Sequence, residues 1–142
     1  MYLVDTDVIS EIRKREKADP GVVAFFRKAV ADNTALYLSA ITVGELRRGV
    51  EIIRHRGNGD QADELDQWLK LVLNEYSENF LPIDAEVAQI WGRLRVPHPE
   101  SPLDKQIAAT ALIHDLTLAT RNVKHFENLG VRLVNPFGGS KR

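Results

Sequence analysis

Two hydrophobic periods alternate along the chain, and together they predict its elements. Tyr2-Leu3-Val4 is a short apolar run ending in an acid, the pattern of a buried strand. Ile9 and Ile12, three apart, predict a short helix from Val8 to Lys14. Asp19-Pro20 is a helix start, a capping acid followed by proline at the first helical position. Val22, Val23, Phe25, Phe26 and Val30 carry that helix to about Ala31, and Asp32-Asn33-Thr34 is a turn. Leu36 to Ser39 is a second strand. Thr42 with Glu45 three residues on reads as the capping box of a helix reaching about Arg54. After a polar loop from His55 to Asp60, Leu65, Trp68, Leu69, Val72 and Leu73 line one face of a helix over Gln61–Tyr76. Asn79 to Ile83 is a short strand kept near a sheet edge by Pro82. Asp84 opens a helix through Val87, Ile90, Trp91 and Leu94, followed by a stiff loop over Pro97–Pro102. Leu103 to His114 is a helix whose Ala108 and Ala111 predict close packing. Thr117–Thr120 and Val131–Val134 are strands around a helical turn at Val123–Asn128.

Strands separated by helices throughout define an α/β class: a mainly parallel sheet with helices on both faces. Residues 1–136 form one domain, and 137–142 are expected to be a flexible tail. Sheets of this class place their sites at the carboxyl ends of the strands. That rule directs attention to Asp5, to the Ser39–Glu45 turn and to Thr120-Arg121-Asn122.

Composition narrows the chemistry. The 142 residues are 44% hydrophobic and 27% charged, with a net charge of −1, so no overall field attracts nucleic acid. A nucleic-acid partner must be held by a local basic patch or through metal ions. No cysteine is present, which excludes disulfides, thiolate zinc sites and a cysteine nucleophile and fits a cytoplasmic location. No apolar run approaches the roughly 20 residues of a membrane helix, and Asp5 with no basic stretch before it speaks against a signal peptide. The four histidines lack H-x-x-x-H spacing, which argues against zinc.

Three acids stand out. Asp5 directly follows an apolar strand, where a carboxylate is costly to bury without a partner. Glu45 lies one turn into its helix and Asp104 just after Pro102 at a helix start. Each has a modest explanation as a cap or a dipole partner. If the three converge, their repulsion has to be relieved. A hard divalent cation bound through carboxylate oxygens does this, and it can also activate water and neutralise charge on a phosphodiester.

The surrounding residues resemble a known family. Leu3-Val4-Asp5-Thr6-Asp7-Val8-Ile9-Ser10-Glu11 resembles the opening of PIN-domain ribonucleases, and Leu38 to Gly49, around Glu45, resembles their second motif. Pro102 to Ala111, around Asp104, resembles the third and Leu118 to Glu127 the fourth. Their order and spacing are similar to VapC toxins of type II toxin–antitoxin systems, especially the FitB-like branch, from Tyr2 to Pro136. The resemblance implies a three-layer α/β/α fold with a five-stranded parallel sheet. It implies an Mg²⁺-dependent endoribonuclease in which Mn²⁺ can substitute, usually a homodimer, neutralised by a small antitoxin in a hetero-oligomer. Asp5, Glu45 and Asp104 match the metal-binding acids, and Thr6 and Thr120 match polar residues of the pocket. The fourth motif departs from the pattern, with Asn122 and His125 where many relatives place an acid; Asp7 stands ready to compensate.

The expected catalytic set is therefore Asp5, Glu45, Asp104 and Asn122, supported by Thr6, Asp7 and Thr120. Arg13, Arg47, Arg48 and Arg121 are the candidates for gripping RNA. Two other readings fit parts of the chain. A nuclease relic could bind RNA or its antitoxin without cutting. Asp5-Thr6-Asp7-Val8 also resembles the first motif of haloacid-dehalogenase-like phosphatases, whose downstream Lys and later acid pair do not appear in their places.

Overall fold

The computed structural model describes residues 1–138. Five parallel strands form one sheet: β1 (Tyr2–Val4), β2 (Leu36–Ser39), β3 (Phe80–Leu81), β4 (Thr117–Ala119) and β5 (Leu133–Val134), in the order β3-β2-β1-β4-β5. Among the described residues, seven α-helices surround it: α1 (Thr6–Ile12), α2 (Pro20–Ala31), α3 (Ala40–His55), α4 (Gly59–Glu75), α5 (Ala85–Leu94), α6 (Pro102–Ile113) and α7 (Val123–Phe126). The expected α/β sandwich with its short third strand at an edge is what the chain builds.

The strands alternate their side chains between two cores. Val4 and Leu38 face a cluster with Val8, Val22, Val50 and Leu69 from α1 to α4. Leu3 and Leu118 face the other, with Ile107, Ala108 and Ala111 of α6 and Phe126 of α7. The small residues of α6 let that helix lie close, as the sequence predicts; α5 packs beside it. β1 is the central strand, bonded to β2 on one side and β4 on the other. The strand order reverses between β1 and β4, and crevices at such reversals are where ligands bind in this class of sheet.

Three local expectations need correction. Helix α1 begins at Thr6 with Asp5 as its N-cap, two residues before Val8. Helix α3 is capped by Ser39, whose Oγ accepts the Ile41 N–H at 3.0 Å, so Thr42 is an interior residue and the capping box does not form. Phe137 and Gly138, assigned to the tail, contact the body: Phe137 packs against the first core and the Gly138 N–H donates to Asp19 Oδ1 at 3.0 Å. Residues 139–142 of the expected tail lie outside the described residues.

Candidate active site

Asp5 is held at the carboxyl end of the central strand, only 6% exposed. Its backbone N–H still belongs to the sheet, donating to Ala119 O of β4 at 2.9 Å. Its side chain closes the reversal point. Oδ1 accepts the Thr6 N–H at 2.8 Å and Oδ2 accepts the Thr120 hydroxyl at 2.7 Å. Thr120 Oγ in turn accepts the Asn122 N–H at 3.0 Å.

From Asp5 the hydroxyl of Thr6 leads to the second motif. Thr6 Oγ lies 2.7 Å from Glu45 Oε1, to which it donates, and 3.1 Å from the hydroxyl of buried Thr42. Glu45 is thus bonded across helices rather than back to its own helix start. Thr42, one turn ahead of Glu45 on the same face, is a pocket hydroxyl that sequence reasoning assigned to a cap.

Asp7 ties α1 to the fourth motif. Its Oδ2 accepts the Arg121 N–H at 3.1 Å and lies 3.4 Å from Asn122 Nδ2. Its Oδ1 is buried with no hydrogen-bond partner. Asp104 meets His125, with Oδ2 3.1 Å from Nδ1. No signal in the sequence pairs His125 with Asp104, 21 positions away.

The electrostatics follow from this crowding. Burial, and then the charge of Asp7, push the Asp5 carboxyl up to about 7, with a smaller contribution from Asp104; the bonds from Thr120 and Thr6 pull the other way. Burial also raises Asp7 above the usual carboxylate range, opposed chiefly by the Arg121 N–H.

The expected acids come together in part. Asp5 and Glu45 are bridged by Thr6, and Asp104 is near enough for its charge to act on Asp5. Among the described residues, however, no group of three or more His, Cys, Asp or Glu side chains is placed to hold a metal ion. In kind, the donors suit a hard cation, being all oxygens, with an orphan carboxylate oxygen on Asp7 and a buried Asp5 facing like charge. Mg²⁺ ordinarily uses one or two carboxylates and completes its shell with water and phosphate, so an open arrangement fits it better than a closed one.

The basic candidates divide. Arg13 lines a cavity of about 100 Å³ together with Thr6, Ser10, Glu45 and Trp68. Arg48 is exposed on α3. Arg47 is engaged by Asp66 of α4 at 3.0 Å and by Glu51 at 3.3 Å, so it is not free for substrate. Arg121 is exposed beside the pocket.

An acid-lined crevice at the reversal point of a five-stranded parallel sheet, flanked by helices on both faces, places the chain in the class of open α/β domains that bind ligands at that point. The chain belongs to the PIN-domain family, whose model matches residues 2–131. It is 37% identical to Toxin FitB of Neisseria gonorrhoeae, covering 96% of this chain and 99% of that protein. It is 32% identical to VapC ribonuclease Y4jK of Sinorhizobium fredii, over 96% and 98%. The crystal structure of FitAcB from Neisseria gonorrhoeae superposes with a TM-score of 0.83 at 37% identity, covering 96% of this chain and 98% of that one. The family assignment replaces the phosphatase reading of Asp5-Thr6-Asp7.

Proposed function

We propose that this protein is the toxin of a type II toxin–antitoxin module, an endoribonuclease that hydrolyses RNA phosphodiesters with Mg²⁺, or Mn²⁺ in its place. One observation carries the reading: a carboxylate at the end of the central strand, buried and pressed by like charge, is bonded to the fourth motif through Thr120 and linked through Thr6 to Glu45 of the second. Kinship with a VapC ribonuclease and with Toxin FitB supports the same conclusion. The cost of such a site is justified where an ion and a phosphate enter it.

Asp5 and Asp104, with Glu45, would hold the ion. When bound, it neutralises charge building on the phosphodiester. Glu45, oriented by Thr6, accepts the proton of the attacking water, and Thr120 and Asn122 fix the position of Asp5 and the incoming strand. Catalysis is then placement and charge neutralisation, with no covalent intermediate on the protein. Asp7 supplies the negative charge that Asn122 and His125 do not. On this basis the substrate-free protein binds one metal ion tightly and a second only with substrate phosphate present; calorimetry showing two tight sites contradicts it.

The proposed partners are RNA, a second copy of the chain and a small antitoxin. Val30 on α2 and Leu71 on α4 are 80% and 66% exposed, and they border an apolar groove with Ile12, Phe26 and Val72 that a protein partner can cover.

The decisive experiment is induction of the gene alone in a bacterial host, beside cleavage assays on the purified chain. Growth arrest and EDTA-sensitive RNA cleavage are expected, both lost in Asp5→Ala. Arrest that persists in Asp5→Ala replaces the nuclease with a binding protein.

A further inference from the structure

Arg121 is oriented differently from the ion-paired cations of this protein. Lys14, Lys28, Arg47, Arg54 and Arg132 each meet a carboxylate within 4 Å. Among the described residues, the Arg121 guanidinium meets none. It lies instead on an aromatic face, its central carbon 4.6 Å from the centroid of the Phe137 ring.

That ring is itself held. Phe137 packs against the first core, and its N–H donates to Asn135 Oδ1 at 3.0 Å. The next residue is pinned to the start of α2, where the Gly138 N–H lies 3.0 and 3.2 Å from the two carboxylate oxygens of Asp19. On the other side, the backbone N–H of Arg121 donates to Asp7, and its neighbours Thr120 and Asn122 bond to Asp5 and Asp7. The arginine is therefore anchored at its backbone by Asp7 and at its guanidinium by the Phe137 ring, beside the acid-lined crevice, before any ligand arrives.

Stacking has a chemical consequence that an ion pair lacks. A guanidinium held over a ring and not by a carboxylate keeps its N–H donors unpaired by protein, and two of those donors match two oxygens of one phosphate. A strand entering a crevice lined with acids also needs a fixed cation at the rim, and a net charge of −1 supplies no general attraction. We propose that Arg121, stacked on Phe137, is a preformed clamp for a backbone phosphate of the RNA strand adjoining the one cleaved. The C-terminal segment thereby becomes part of the substrate site. This rests on the ribonuclease reading for its substrate, and its test is arranged to be judged separately.

The full chain is titrated into a labelled single-stranded RNA in EDTA and followed by anisotropy at several salt concentrations; cleavage is measured in parallel in Mg²⁺. Arg121→Gln is expected to weaken binding about tenfold and to make the log–log salt slope shallower by about 0.7, the loss of one single-strand phosphate contact. Arg121→Lys restores the slope but not the affinity, because an ammonium neither stacks nor grips with two donors. Phe137→Leu, which keeps an apolar side chain against the core but removes the ring, weakens binding about threefold, a loss out of proportion to its change in melting temperature. Wild-type affinity and slope in Arg121→Gln overturn the proposal. So does Arg121→Lys behaving as wild type, an affinity loss that tracks melting temperature across the variants, or a wild-type chain that does not bind RNA. Binding that behaves as expected in a chain that does not cleave upholds the clamp and defeats the nuclease.

Discussion

Asp5 concentrates the chemistry of the pocket, and its proton is measurable. In the metal-free protein its carboxyl is raised from 3.8 to about 7, chiefly by burial and then by Asp7. Below the unfolded value both states carry the proton. Between about pH 4 and 7 the folded state keeps a proton that the unfolded chain has released, so stability falls as pH rises, by up to ~4 kcal/mol in all. Denaturant unfolding in EDTA should show this decline in the wild type and lose it in Asp5→Asn. Asp104→Ala should reduce RNA cleavage at least about a hundredfold with an unchanged circular dichroism spectrum, since metal-site charges act mainly in the transition state. Thr6→Val removes the donor that orients Glu45. A turnover loss of about tenfold and a stability loss of about 1 kcal/mol are expected, read by single-turnover cleavage and urea melts.

At the scale of the element, what the sequence conveyed depended on whether a signal was local. Strand β1 and helix α2 were legible because an apolar run or an Asp-Pro start settles them within a few residues. The α3 cap was misread because Ser39 and Thr42 are both good capping residues three apart, and only the tertiary bond from Thr6 draws Thr42 inward. Ser39→Ala should therefore cost about 1 kcal/mol in chemical denaturation, as a true cap does. The early start of α1 was hidden for a related reason: Asp5 serves the helix and the pocket with opposite edges of one carboxylate. Helix α7 is too short to hold itself and depends on fully buried Phe126. Phe126→Ala should cost about 3–5 kcal/mol by thermal unfolding and loosen His125 from Asp104.

For the molecule as a whole, the three-layer plan was readable from alternation of strand and helix, and the three acids from their place at strand and helix ends. What the sequence withheld were the cross-links between motifs. The bond from Arg121 to Asp7 spans 114 positions, and His125 meets Asp104 across most of helix α6 and strand β4. The stacking of Arg121 on Phe137 was equally hidden, since a lone aromatic near the chain end carries no signal of a partner. Such pairings come from strand order, which local patterns do not encode.

The 115-residue separation between Asp5 and Thr120 has a bearing on how the chain is made. Thr120 is translated 115 residues after Asp5, so the two sides of the crevice are made at different times. Until β4 and the residues after it leave the ribosome exit tunnel, Asp5 Oδ2 lacks its Thr120 partner. On the ribonuclease reading, a chain that ends before β4 lacks the Thr120 and Asn122 side of the crevice and should not cleave RNA. Stalled complexes ending near Leu112 should leave added RNA intact, while released full-length chains degrade it.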